Sequence, residues 1–215
     1  VAIGYNAGTA LTNAQGNTMV GTQAGEAVSA YDGGTLGRGS YTTMVGYQAG
    51  QAMTTGGRST FIGWRAGYVE TTGAYNTYVG ASSGLYARGG DKNTGIGYYA
   101  GSGTANYQSA SNNTSLGYRA LHGITSGNDN LGIGVEAGDD ITTGVRNIAI
   151  GNFALDAADS ENDNIAIGYD ALGGAVAGGE KNLAIGNYAG DELTSADGSV
   201  FLGYNAGTSV TSGNK

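Results

Sequence analysis

A single histidine, His122 in ALHGITSG, and two glycine-rich runs, GIGYYAG from Gly95 and GIGVEAG from Gly132, are the first places to look for chemistry. An imidazole acts as a general base only where a pocket and partner groups tune it. His122 falls on an expected turn, so a surface role is the simpler reading. The two runs imitate a dinucleotide fingerprint, which works by opening a helix whose N-terminus holds a pyrophosphate. No helix is expected after either run, and neither is read as a nucleotide site. With no Cys there is no disulfide and no thiolate metal ligand. Carboxylates are more numerous: Asp139, Asp140, Asp156, Asp159, Glu161, Asp163, Asp191 and Glu192 fall in related turns of the second half. Stacked carboxylates would supply some of the oxygens that calcium takes. The Gly-Gly-x-Gly-x-Asp unit of calcium-binding toxin repeats is absent, however, so the row is read as a solvated, self-repelling edge. No catalytic residue, metal or other cofactor is assigned.

Aromatic side chains offer binding instead of bond-making. Tyr5, Tyr47, Trp64, Tyr98, Tyr118, Tyr169 and Tyr204 share one position in a repeating pattern, with Tyr99, Phe153 and Tyr188 one residue further on. Such a row either stacks on the sugar rings of a surface polysaccharide or covers a seam between chains. Tyr31, Arg38, Tyr41 and Tyr107 lie in SAYDGGTLGRGSY and TANYQSASNN, segments that interrupt the pattern, and loops on a rigid scaffold often carry recognition. A threonine column from Thr18 to Thr114 raises ice binding, but the paired Thr-x-Thr plane is missing. Asn112 and Asn113 in SNNTS match the glycan acceptor triplet, which the repeat pattern explains by itself.

What must position these residues is one unit written many times. Counted on the glycine after an aliphatic residue, the anchors are Gly4, Gly21, Gly46, Gly63, Gly80, Gly97, Gly117, Gly134, Gly151, Gly168, Gly186 and Gly203. That makes twelve copies of a 17-residue unit, coils 1 to 12, with inserts of eight, three and one residues. The whole chain, 1–215, reads as a single repeat array with loop inserts near 29–41 and 102–112. Numbering positions from the anchor, −1 is always aliphatic, and +3 is Ala except for Ser83. Position +4 is Gly in nine copies and Leu in three, Leu121, Leu155 and Leu172. Position −4 is Asn in eight: Asn17, Asn76, Asn93, Asn113, Asn130, Asn147, Asn164 and Asn182.

Seventeen residues with two glycine clusters cannot hold a helical hairpin. They suit an all-β parallel β-solenoid, or β-roll, with two short strands per coil. The asparagines would then form a ladder, each amide donating to the carbonyl of the one below. The period-two alternation in NIAIG puts −1 and −3 on one face, taken as the core, and turns −2 away from it. Large −2 residues such as Met19, Phe61 and Tyr78 would then need cover from another chain, which predicts an oligomer. Register is clean at both ends, as a piece of a longer array or a rod stacking end to end would show. Net charge is −8, with six Lys/Arg against four Asp/Glu in 1–128 and three against thirteen in 129–215. A basic nucleic-acid footprint is missing, and no apolar run suits membrane insertion or a secretory leader.

SVFLGYNAG, VAIGYNAG and NIAIGYDAL resemble the head repeats of trimeric autotransporter adhesins and the similar β-roll repeats of phage tail fibres. The resemblance covers essentially the whole chain and is specific for a fold, not for a ligand. It implies a homotrimeric, non-enzymatic fibre that is extracellular, on a virion or cell surface, and that attaches to a cell-surface polysaccharide or protein receptor. The unit is a few residues longer than the adhesin head repeat and favours Ala-Gly after the anchor, which leans toward the tail-fibre branch. Two alternatives share the fold: a self-assembling cell-surface filament without a receptor, and a polysaccharide-degrading tailspike.

Overall fold

The computed structural model describes residues 1–11, 14–29, 39–104, 109–174 and 179–212. Twelve strands, β1 (Ala2–Ile3), β2 (Thr18–Val20), β3 (Thr43–Val45), β4 (Thr60–Ile62), β5 (Thr77–Val79), β6 (Thr94–Ile96), β7 (Thr114–Leu116), β8 (Leu131–Ile133), β9 (Ile148–Ile150), β10 (Ile165–Ile167), β11 (Leu183–Ile185) and β12 (Val200–Leu202), form one parallel sheet in chain order. Equivalent residues pair across every step, as in Thr60 with Thr77 and Phe61 with Tyr78. The chain is thus a parallel β-solenoid of short-strand coils.

Among the described residues each coil carries one strand, not the two expected. The remaining described residues are turns, bends and irregular backbone, apart from an isolated parallel bridge between Ser195 and Ser212. The reason is local. Left-handed residues recur at −5, +2 and +4, for example Asp129 (φ 61°), Glu136 (φ 56°) and Gly138 (φ 62°) in coil 8. A strand cannot pass through such a conformation. The backbone groups still pair from coil to coil: the Glu136 N–H donates to Tyr118 O at 2.8 Å and the Gly138 N–H to Ala154 O at 2.9 Å. The stack therefore satisfies its polar backbone without a second sheet.

The anchor needs glycine on two counts. Gly134 has φ 135°, a region closed to other residues, and an added Cβ would lie 2.5 Å from the carbonyl oxygen of Gly151 in the next coil. The same close approach recurs at the anchors from Gly4 to Gly186. Coils stack closely here because no side chain intervenes.

The alternation within the strands is as expected, but the inside and outside are exchanged. Position −2 is buried: Met19, Met44, Phe61, Tyr78, Ala149, Ala166 and Ala184 all point into the coil. Positions −1 and −3 point out, with Leu116 45% and Ile185 39% exposed. The interior is narrow. The −2 residue shares it with Ala at +3, such as Ala137 and Ala154, and with a +7 residue such as Val28, Met53, Ile141 or Leu193. One strand side chain per coil fills what remains.

That space is shared between −2 and +4. Where −2 is large, +4 is Gly, and a Cβ on Gly50 would touch the side chains of Met44 and Phe61. In three coils where −2 is small, Ser115, Ala149 and Ala166, Leu at +4 takes the volume and reaches into the next coil; Leu121 Cγ would lie 2.8 Å from a Cβ on Gly132. Two hydrophobic clusters result, one around Met19, Met44, Phe61 and Tyr78 and another around Leu121, Leu155, Leu172 and Leu193. Coil 8 has glycine at both positions, Gly132 and Gly138, and so does coil 6, Gly95 and Gly101. Beside coil 6 lies a cavity of about 20 Å³, lined by Tyr78, Gly101, Ser115 and Ile124 among others, with room for one water molecule.

The asparagine column runs through this interior as a ladder, with a different wiring from the one expected. Each Oδ1 accepts the backbone N–H of the equivalent residue in the next coil: Asn147 N–H to Asn130 Oδ1 at 2.9 Å, Asn164 N–H to Asn147 Oδ1 at 3.0 Å. Each Nδ2 donates to a backbone carbonyl of the next coil, as from Asn130 to Gly144 O at 2.8 Å and from Asn164 to Gly179 O at 3.0 Å. Amide-to-amide bonds are secondary, as at Asn147 Nδ2 to Asn130 Oδ1 (3.2 Å). Asn76, Asn93, Asn113 and Asn182 follow the same scheme, and Asn17 supplies it to Thr42. The side chains satisfy turn groups that water cannot reach.

Candidate functional site

Exchanging inside for outside creates the most prominent surface of the molecule. The −3 and −1 columns form the outer face of the sheet, from Val1 and Ile3 at one end to Val200 and Leu202 at the other. None of these 24 residues is charged, although the chain carries 9 Lys/Arg and 17 Asp/Glu. In β2 to β7 the −3 column is threonine, paired in register from Thr18 to Thr114. From β8 onward it is Leu131, Ile148, Ile165, Leu183 and Val200, so that half of the face is wholly aliphatic. Uncharged ribbons of this kind mark association sites on many proteins.

The aromatic row runs alongside, beyond the glycine corner. Tyr5, Tyr47, Trp64, Tyr98, Tyr118, Tyr169 and Tyr204 are all exposed, from 40% for Tyr169 to 73% for Tyr5. The row is broken into groups. Tyr98 stacks on Tyr118 with ring centroids 5.7 Å apart and meets Tyr99 edge-on at 4.5 Å. Tyr169 is edge-on to Phe153 at 5.7 Å and to Tyr188 at 5.3 Å, and Tyr188 to Tyr204 at 6.2 Å. Residues at +2 thus knit the row together. Asn152 and Asn187 occupy the row where aromatics are missing, each accepting a backbone N–H from the coil before, Val135 and Tyr169. Among the loop residues, Tyr41 is 57% exposed with φ 60°, whereas Tyr31, Arg38 and Tyr107 lie outside the described residues.

The next corner, at +2 and +5, is polar and changes character along the rod. In coils 1 to 4 it is a hydrogen-bonded ladder: Gln48 Nε2 donates to Gln23 Oε1 (2.9 Å), Gln51 Nε2 to Glu26 Oε2 (2.7 Å) and Arg65 Nε to Gln48 Oε1 (2.8 Å). In coils 7 to 11 it is acidic. Arg119 Nη2 pairs with Asp139 Oδ2 at 2.6 Å, and His122 Nδ1 stands 3.4 Å from Asp139 Oδ1. Burial pushes Asp139 up to about 6, with Arg119 pulling the other way, and burial beside Asp170 raises Asp156 to about 6. Burial and the Arg119 charge lower His122, so near neutrality it is an uncharged ring packed edge-on against Tyr99 at 5.7 Å. Among the described residues no group of three or more His, Cys, Asp or Glu is placed to hold a metal ion.

Sequence reasoning passed over three residues. Arg65 lies over the rings of both Trp64 and Tyr68. Arg58 lies over Tyr75 at 5.5 Å and donates from Nη1 to its hydroxyl at 3.1 Å. Glu70 occupies the +7 position, which other coils fill with Val28, Met53 or Ile141, and it is fully buried. Its Oε1 accepts from the N–H groups of Thr71 (3.0 Å) and Gly73 (2.8 Å), and its Oε2 from Asn76 Nδ2 (3.3 Å). Burial still dominates and raises it to about 7. A carboxyl in an apolar column was the visible signal.

No helix of the described residues is long and apolar enough to cross a membrane. Comparison with protein-family models, with curated proteins and with solved structures returned no match.

Proposed function

We propose that the chain is a rigid, non-enzymatic segment of an extracellular fibre on a virion or cell surface, built from three parallel copies, that attaches to a cell-surface receptor. The observation that carries this is the uncharged outer face of the sheet. It is only three residues wide, about 10 Å, and eleven steps of ~4.8 Å make it about 53 Å long. Each chain therefore presents on the order of 500 Å², and three chains together about 1,600 Å²; shared over three seams this is about 500 Å² per pair, less than a standard two-body interface, so the closed ring of three is what holds the copies together. Three such ribbons facing a common axis bring the −3 column of one chain against the −1 column of the next, a head-to-tail contact that closes at three copies. The aromatic row then lies outside the seam, repeated along each chain. Many weak contacts to a polymeric receptor add through effective concentration.

The test is the mass in solution. Analytical ultracentrifugation should give three times the 21.4 kDa of one chain. Leu116→Glu with Ile185→Glu, two outward residues, should leave the circular dichroism of the fold in place and reduce the mass to one chain. A wild-type monomer at micromolar concentration would contradict the seam. Loss of cell binding on replacing the aromatic row, with the mass unchanged, tests the attachment separately.

A further inference from the structure

Coil 4 differs from the other coils at the corner after its anchor. Trp64, the chain's only tryptophan, is 46% exposed, and Tyr47 in the coil below is 43% exposed. The guanidinium of Arg65 lies 4.7 Å from the Trp64 ring centroid and 4.9 Å from that of Tyr68, and its Nε donates to Gln48 Oε1 at 2.8 Å. Two rings and one hydrogen bond fix its plane. An arginine ordered in advance loses less freedom when a ligand arrives. Its other four N–H donors, on the terminal nitrogens, make no hydrogen bond or ion pair among the described residues. Arg119 and Arg146 are different, because Asp139 and Asp163 already occupy them at 2.6 Å. Among the described residues Arg65 thus presents an uncompensated charge, in the half of the chain where basic residues outnumber acidic ones, six to four.

We propose that Trp64, Arg65 and Tyr68 form a subsite for a sugar that carries a carboxylate, a uronic or sialic acid unit of a surface polysaccharide. The sugar ring packs on the exposed indole, and the carboxylate takes two parallel N–H bonds from the terminal nitrogens of Arg65. This rests on the reading that the aromatic row faces outward.

The lone tryptophan makes the site its own reporter. Tetragalacturonic acid and 3′-sialyllactose, titrated separately, distinguish the two acid sources, with neutral maltotetraose as control. At least one acidic sugar should shift Trp64 fluorescence, less so as salt is raised, and the neutral sugar should not. By calorimetry, Arg65→Gln should weaken that binding about tenfold or more, Arg65→Lys by less, and Arg146→Gln not at all. Equal binding of maltotetraose, equal losses in Arg65→Gln and Arg146→Gln, or no response to either acid would overturn the proposal. Rods that ignore both acids yet still adhere to cells would remove the acidic-sugar assignment alone and leave the attachment reading standing.

Discussion

Glu70 makes the stability of the rod run against the usual pH trend. Its carboxyl is raised from 4.5 to about 7, chiefly by burial. The folded state therefore holds the proton more tightly than the unfolded chain does. Stability from this group is fully present below about 4.5 and is lost as pH rises through about 7. The difference between those two values corresponds to about 3 kcal/mol, of which roughly 2 to 3 kcal/mol falls between pH 5 and pH 8. For a chain of this length, 1 kcal/mol moves the melting temperature by about 2 to 4 °C. Glu70→Gln keeps an oxygen for the Thr71 and Gly73 N–H groups and removes the charge; Asn76 retains its bond to Gly90 O at 2.7 Å. Thermal and guanidinium unfolding, followed by circular dichroism at pH 5 and pH 8, compares the two proteins. Wild type should be the less stable at pH 8. Glu70→Gln should equal it within about 1 kcal/mol at pH 5 and exceed it by about 2 kcal/mol at pH 8. Asp139 and Asp156 titrate in the same direction in both proteins, so the difference isolates position 70. Parallel pH curves for the two proteins would refute the reasoning.

Two further outcomes follow from the interior. Asn130→Leu strands the Asn147 N–H and the Gly144 carbonyl in a dry turn, which should cost about 2 to 5 kcal/mol; faster amide hydrogen exchange at Asn147 would locate the damage. Gly132→Met should destabilise by about 1 to 3 kcal/mol through collision with Leu121, and Leu121→Gly by about 2 to 5 kcal/mol through the void it leaves. Together they should cost clearly less than their sum, because a large −2 residue then follows a coil with glycine at +4, as Phe61 follows Gly50; additive losses in denaturant midpoints would argue against shared volume.

Much of this architecture was readable from residues alone. Glycine at a fixed interval gave the coil length, and the period of two gave the register, since Ile148, Ala149 and Ile150 pair with Ile165, Ala166 and Ile167 as the repeat requires. Which side of the strand is inside was not readable from alternation, because a period of two defines two faces without ranking them. The uniformly aliphatic −1 column looked like core. The structure places Leu116 and Ile185 outside and Phe61 inside, because a 17-residue coil has room for one strand side chain. A subtler signal was present: Leu121, Leu155 and Leu172 replace Gly where −2 is Ser115, Ala149 or Ala166, a trade in volume that only interior neighbours make. The second strand was overestimated because glycine marks turns, but left-handed Glu136, Phe153 and Asp170 carry no comparable mark. The arginine-on-aromatic corner of coil 4 depends on side-chain direction, which repeat spacing does not encode.

The shared volume inside the rod also constrains how such an array can be copied. A coil that ends its inner step in leucine accepts only a slender successor, so Phe61 placed above Leu172 would collide. Unequal crossover between coils is therefore filtered by interior compatibility, even where the outward letters match. Whole blocks, the bulky-strand coils or the leucine coils, can be duplicated intact, whereas the junctions between blocks fall at coils with small residues in both places, Gly95 with Gly101 and Ala184 with Gly190.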